Sequence, residues 1–246
     1  MRKKGQITFF IIIAVIIVIG LILFFVIKPD VKKTKISSEI SSIHNFVENC
    51  VEETGEEAIY HIGQTGGYFT IPELSFEQAI AYYLYENENN MPLKEKIEEE
   101  ISLYMDFIMP FCINDFEDFL DFKITSNEIK TTTKIENEKV VFNVNYLLSI
   151  VKDKKSYILE DFDGEIAIRL GIIYNAITEA MDEQMKKTDA VCVDCLYDIG
   201  QKYDLKFHVL KSDETGALLF IVRDENSKVF DEDYKFHFVN KLEVVG

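Results

Sequence analysis

Lys139 to Val151 reads KVVFNVNYLLSIV. Val140, Phe142, Val144, Tyr146, Leu148 and Ile150 alternate with Asn143, Asn145 and Ser149, so the period is two. That is the pattern of a strand with one face buried and the other wet. Just before it, Glu128 to Ile135 has the same character and is separated by Glu136-Asn137-Glu138, which predicts a hairpin. A third strand is expected at Ser156 to Phe162, after the turn at 152–155. Beyond it Ile166, Leu170, Ile173, Ile177 and Met181 fall at helical spacing, and a shorter helix is expected from Val191 to Tyr203. Three strands close the chain, Leu205–Leu210, Ala217–Val222 and Tyr234–Val239, with hairpin-like connectors at 212–216 and 224–227. Residues 123–246 therefore read as an antiparallel-sheet α+β domain with two helices.

Towards the N-terminus the period lengthens. Pro92 opens a helix with Leu93, Ile97, Ile101, Tyr104, Ile108, Phe111 and Cys112 on its apolar side. Pro110 is expected to kink it, with helix continuing through Phe116, Phe119 and Leu120. Ser75-Phe76-Glu77-Gln78 has the form of a capping box opening a short helix to Glu86. Ile36, Ile40, Ile43, Val47, Cys50 and Thr54 mark a long amphipathic helix, widened by Val51, Ala58, Ile59 and Ile62. Gly63 suits its left-handed C-cap and Gly66-Gly67 the turn after it. Residues 28–122 thus form a helical region.

Ahead of that region Ile7 to Ile27 is ITFFIIIAVIIVIGLILFFVI, 21 residues without a charge. As a helix it would reach about 30 Å, the thickness of the hydrocarbon core of a bilayer. It is expected to be a transmembrane helix, continuing into the amphipathic one with Pro29 as a break between them. Residues 1–6 form a basic leader, and no small-residue cleavage site follows the apolar run at 24–29. The expected topology is a single pass through the cell membrane, with a short cytoplasmic N-terminus and the large domain outside.

Lys3-Lys4-Gly5-Gln6-Ile7-Thr8 resembles the class III signal peptide of archaeal type IV pilin-like surface proteins. The resemblance covers about ten residues and the helix behind them. It implies a prepilin-type peptidase as partner, cutting between Gly5 and Gln6 and leaving the anchor in place. It also implies self-association through the N-terminal helix. Many such pilins carry a Glu early in the mature helix, and this chain has Phe10 there. Ile43, Phe46, Val47 and Cys50, followed by Ile62-Gly63-Gln64 and Gly66-Gly67-Tyr68, are similar to functionally uncharacterised anchored proteins of small-genome archaea.

Charge is divided sharply. Residues 1–35 hold seven Lys or Arg and one acid, whereas the remainder holds 19 Lys or Arg and 42 Asp or Glu. Such an acidic surface repels phosphate backbones, so nucleic acid is not an expected partner. Aromatic residues make up 13 % of the chain, which excludes a disordered stalk.

The four cysteines are candidates for disulfides outside the cell. Cys50 and Cys112 lie on apolar faces of two long helices that can pack together, with buried free thiols as the alternative. Cys192 and Cys195 form a CxxC at a helix start, where thiolates are stabilised. A local pair, a zinc site and a thiol-disulfide catalyst compete there, in that order, because one CxxC lacks the second ligand pair of a zinc finger and no βαβ unit precedes it.

Other chemistry is sparse. His208 and His237 fall on the polar faces of C-terminal strands. The stretch 160–165, EDFDGE, has a fragment of a calcium loop without its ligand spacing, and Asp163 is as well suited to cap a helix. The Tyr82-Tyr83-Tyr85 run suits packing more than a ligand surface. GxSxG, HExxH and N-glycosylation sequons are absent. The expectation is a non-enzymatic, anchored extracytoplasmic protein without cofactor or metal, as a pilin-like or pseudopilin-like subunit of a surface structure. A monomeric anchored binding or assembly module is the alternative, and a thiol-disulfide oxidoreductase the third reading.

Overall fold

A computed structural model describes residues 38–187 and 189–242. The leader, the Ile7–Ile27 run and the Pro29 break lie outside them. Among the described residues no helix is long and apolar enough to cross a membrane.

These residues make a mixed α+β fold with four α-helices and two sheets. The period-two stretch is the spine of one sheet. Strand β6 (Val140–Lys152) pairs along one edge with β7 (Lys155–Ile166). Along its other edge β4 (Lys123–Ser126) and β5 (Lys130–Ile135) follow one another, opposite residues 148–151 and 140–145 of β6. The β6–β7 turn takes two residues, Asp153 and Lys154, both at positive φ. This is the hairpin turn that matches strand twist.

The second sheet has the order β1-β2-β10-β9-β8, with β3 on β2. Its strands are β1 (Ser75–Phe76), β2 (Ile80–Tyr85), β3 (Glu88–Asn89), β8 (Lys206–Lys211), β9 (Leu218–Val229) and β10 (Glu232–Asn240). Among the described strands of this sheet only the β2–β10 pairing is parallel.

Helix α1 (Ser38–Thr65) serves both sheets. Its stripe from Ile40 through Ile43, Val47, Val51, Ala58 and Ile59 to Ile62 is buried in one continuous core. Two of its glycines mark close approaches. A Cβ on Gly55 would come within 2.7 Å of the Phe142 ring on β6, and one on Gly63 within 2.6 Å of the Lys235 carbonyl on β10. Gly63 is therefore a contact residue inside the helix. The left-handed turn falls later, at Gly66 and Gly67, where the Gly67 N–H closes on the Ile62 carbonyl at 2.9 Å. The described residues from Ile40 onward form one compact unit. The reason is that α1 packs on both sheets and β2, from the N-terminal half, pairs with β10.

Helix α2 (Lys94–Ile113) covers the open edge of β5. Glu98, Ser102 and Asp106 accept the backbone N–H groups of Ile135, Thr133 and Thr131 at 2.9, 3.1 and 2.7 Å. Four residues of helix rise about 6.0 Å and two of strand about 6.8 Å, so the two repeats run nearly in step. An edge that would attract other strands is thereby closed. Glu100, on the same helix, accepts the Phe69 and Thr70 N–H groups at 2.9 and 2.8 Å and pairs with Lys96 at 2.9 Å. Replacing Glu100 by alanine orphans these donors and is expected to cost about 2 kcal/mol in urea unfolding, with Glu100→Gln recovering part of it.

Three sequence expectations are corrected. The segment after Ser75 is a hairpin of β1 and β2, with Glu77 and Gln78 at positive φ where a helix needs negative values. Ala81, Tyr82, Tyr83 and Leu84 are buried in succession because both faces of β2 are covered, and Tyr83 stacks on Phe238 at 4.8 Å. Helix α2 stops at Ile113, since Asn114, Asp115 and Phe116 all take positive φ. Strand β9 continues through 224–227, and its turn comes at Phe230-Asp231. The polar side chains of 224–227 are held by a buried network described below. Helices α3 (Leu170–Met185) and α4 (Val193–Tyr203) complete the fold.

Candidate functional site

Helix α4 and strand β8 are joined by a tight left-handed cap. Asp204 takes φ 54°, the Leu205 N–H reaches the Gly200 carbonyl at 2.9 Å, and a Cβ on Gly200 would meet the Leu205 carbonyl at 2.8 Å. Both ends of α4 are fixed. At its start Cys192 is the N-cap residue and faces Cys195 at disulfide distance, with Cα atoms 5.3 Å apart. Buried Gln184 of α3 donates to the carbonyls of Lys187 and Ala190, which holds the approach to this pair.

At its end Arg169 donates to the Tyr203 carbonyl at 2.6 Å and pairs with buried Asp224 at 3.3 Å. Asp224 also accepts from the Ser227 hydroxyl at 2.6 Å and the Asn226 N–H at 3.1 Å, while the Arg169 N–H donates to Ser227 at 3.0 Å. A buried carboxylate with this many partners is satisfied, and removing one would leave charge exposed to a low dielectric. The guanidinium also meets the carbonyl end of the helix, where cations are favoured.

Between these braces α4 presents Val193, Leu196, Tyr197 and Gly200 at helical spacing along β8. Together with Leu205, Phe207, Val209 and Leu218 they line a groove of about 660 Å³. Val193 and Tyr197 are 70 % and 67 % exposed, large values for an apolar wall. The charged groups lining it are Lys206 and Lys211, with His208, and among the described residues no carboxylate lines it.

Strand β8 is the outer strand of its sheet. The Ser212 N–H bonds the Ala217 carbonyl at 2.8 Å, which sets the ladder phase. Lys206, His208 and Leu210 then direct their backbone groups to β9, and those of Phe207, Val209 and Lys211 face the open edge.

The other face of the same sheet holds a cleft of about 490 Å³, bounded by Tyr60 and Gln64 of α1. Lys206, Arg223 and Lys235 form one row across β8, β9 and β10, and His208, Ile221 and His237 the next. The two histidines share a face but are separated by β9, so they stand about 10 Å apart. Among the described residues no group of three His, Cys, Asp or Glu side chains is arranged to hold a metal ion.

Burial and neighbouring Lys235 lower the pKa of His237 below its ordinary 6.5, and burial lowers that of His61. Their Nε2 atoms are buried without a hydrogen-bond partner among the described residues. Each histidine takes up a proton more readily when unfolded, so stability is expected to fall as pH drops below about 6.5 towards the folded values. Urea midpoints between pH 7.5 and 5 measure this, and His237→Gln is expected to flatten the dependence.

The remaining site residues fall as follows. Cys50 of α1 and Cys112 of α2 meet at disulfide distance, Cα atoms 5.7 Å apart. Gly5 and Gln6 lie outside the described residues. Residues 160–165 are strand, not loop or helix cap, and Asp163 accepts from Asn143 at 2.8 Å across the pair. The groove and the edge of β8 were missed in the sequence. Their signal was present in Val193, Leu196, Tyr197 and Gly200, an apolar face longer than one neighbouring strand can cover. Comparison with protein-family models, with curated proteins and with solved structures finds no match to this chain.

Proposed function

We propose that this chain is a membrane-anchored extracytoplasmic binding module whose recognition surface is the groove between α4 and β8. The observation that carries the reading is an apolar groove of ligand size beside an open strand edge, in a fold where the edge of β5 is closed by α2. The Cys192–Cys195 pair acts as a brace for α4 and not as a catalyst. The Ile7–Ile27 run would hold the domain at the bilayer, with the basic leader inside.

A photo-crosslinking residue at position 197, in native membranes, tests the reading. A discrete adduct identified by mass spectrometry, absent when the same residue is placed at exposed Glu138, is the expected result. Equal labelling from both positions would contradict it.

A second reading, a subunit of a surface filament, is favoured by the resemblance at residues 3–8. It requires a mature N-terminus at Gln6, which the mass of the N-terminal peptide decides. An intact Met1 would remove that reading and leave the binding module.

A further inference from the structure

We propose that the open edge of β8 accepts an extended segment of a partner protein as an added strand, and that this segment alternates apolar and acidic side chains. The inference rests on the binding-module reading and names the ligand class of that site. A strand laid on β8 would bond to the outward backbone groups of Phe207, Val209 and Lys211. Its side chains then point alternately to the two faces of the sheet.

Those two faces differ. On the groove side an added side chain meets Val193 and Tyr197 of α4 together with Phe207 and Val209, an apolar surface with Lys211 at its end and Lys206 and His208 at its rim. On the other side it meets Lys206 and His208, next to the row that continues through Arg223 to Lys235. Carboxylates are present on that face. Glu225 pairs with Lys206 at 2.7 Å, Asp233 pairs with Arg223 and Lys228, and Glu232 lines the same cleft. Lys235 has no ion-pair partner among the described residues, whereas Lys211 lies on the groove face with Phe207 and Val209. In a chain of net charge −17, a face that carries Lys206, Arg223 and Lys235 in one row is a local concentration of cations. It complements acidic side chains at every second position of the added strand.

The same charges argue against a second copy of β8 as occupant. Pairing two such strands brings Lys206 and Lys211 of each towards cations of the other, a recognised means of guarding an edge against its own kind. Strand β8 has six residues, so about six residues of partner, roughly 20 Å, complete the ladder.

The test uses the full chain in detergent micelles and fluorescent six-residue peptides. A peptide alternating valine and glutamate is expected to bind at least tenfold more tightly than one alternating valine and lysine, or than three valines followed by three glutamates. N-methylation of its alternate amides should abolish binding in one phase and leave it in the other, the signature of a backbone ladder. Tyr197→Ala and Lys206→Glu, both at exposed positions, should each weaken it several-fold. Equal binding of acidic and basic peptides, insensitivity to N-methylation in both phases, or no binding of the alternating acidic peptide overturns the proposal. If the position-197 adduct persists while the peptide fails, the ligand class is wrong and the binding site stands. If both fail, the site itself is wrong.

Discussion

Replacing Cys50 and Cys112 together by alanine is expected to lower the unfolding free energy by about 4 kcal/mol. The two residues are 62 positions apart, and closing a loop of that length removes conformational entropy from the unfolded chain. The link also fixes α1 to α2, and α2 in turn closes the β5 edge. Loss of the link should therefore be accompanied by faster hydrogen exchange at Thr131, Thr133 and Ile135. The pair at 192 and 195 closes a loop of only three positions, so its removal should cost far less globally. Urea unfolding of the two double variants gives the comparison. A loss below about 1 kcal/mol for the Cys50 and Cys112 variant, or an equal loss for both, would contradict it.

Phe142→Ala is expected to cost roughly 3 to 5 kcal/mol, the range for deleting a buried aromatic ring. Phe142 is fully buried on β6, and its ring occupies the space that a side chain at Gly55 would need. This predicts a coupling. Gly55→Ala alone should destabilise, because its Cβ would lie 2.7 Å from the ring. In the Phe142→Ala background the same change should be neutral or stabilising, since alanine favours helix over glycine by about 1 kcal/mol and the obstruction is gone. Additive effects would mean that the helix does not rest on β6 through this contact.

The parts of the fold legible in the sequence are those where one face is buried and the other wet. The alternation from Val140 to Ile150 specifies β6, and the 3.6-residue stripe from Ile40 to Ile62 specifies α1, because each pattern reports a single burial direction. Strand β2 was not legible in this way. With Ala81 through Leu84 all buried it has no period, and the Ser75–Gln78 capping pattern prevailed over the β preference of its tyrosines. Residues 224–227 misled for the opposite reason. Asp224 and Ser227 look like turn residues, yet both are buried against Arg169, 55 and 58 positions away. No local rule encodes such a partner.

The candidate site was legible only in pieces. The cysteine spacings indicated which residues were candidates for pairing, and the helix stripes placed Cys50 and Cys112 on facing surfaces. The groove required the α4–β8 cap and the order of strands in the sheet, both set by contacts distant in sequence. His208 and His237 looked equivalent in the sequence, whereas β9 separates them in the structure.

Amide hydrogen exchange along β8 in the full chain tests the open edge most directly. In the free protein the amides of His208 and Leu210, bonded to β9, are expected to exchange slowly, and those of Phe207, Val209 and Lys211 rapidly. On adding the alternating valine–glutamate peptide the second set alone should slow. Slow exchange of Phe207, Val209 and Lys211 in the free chain would show that the edge is already covered, and would contradict the account.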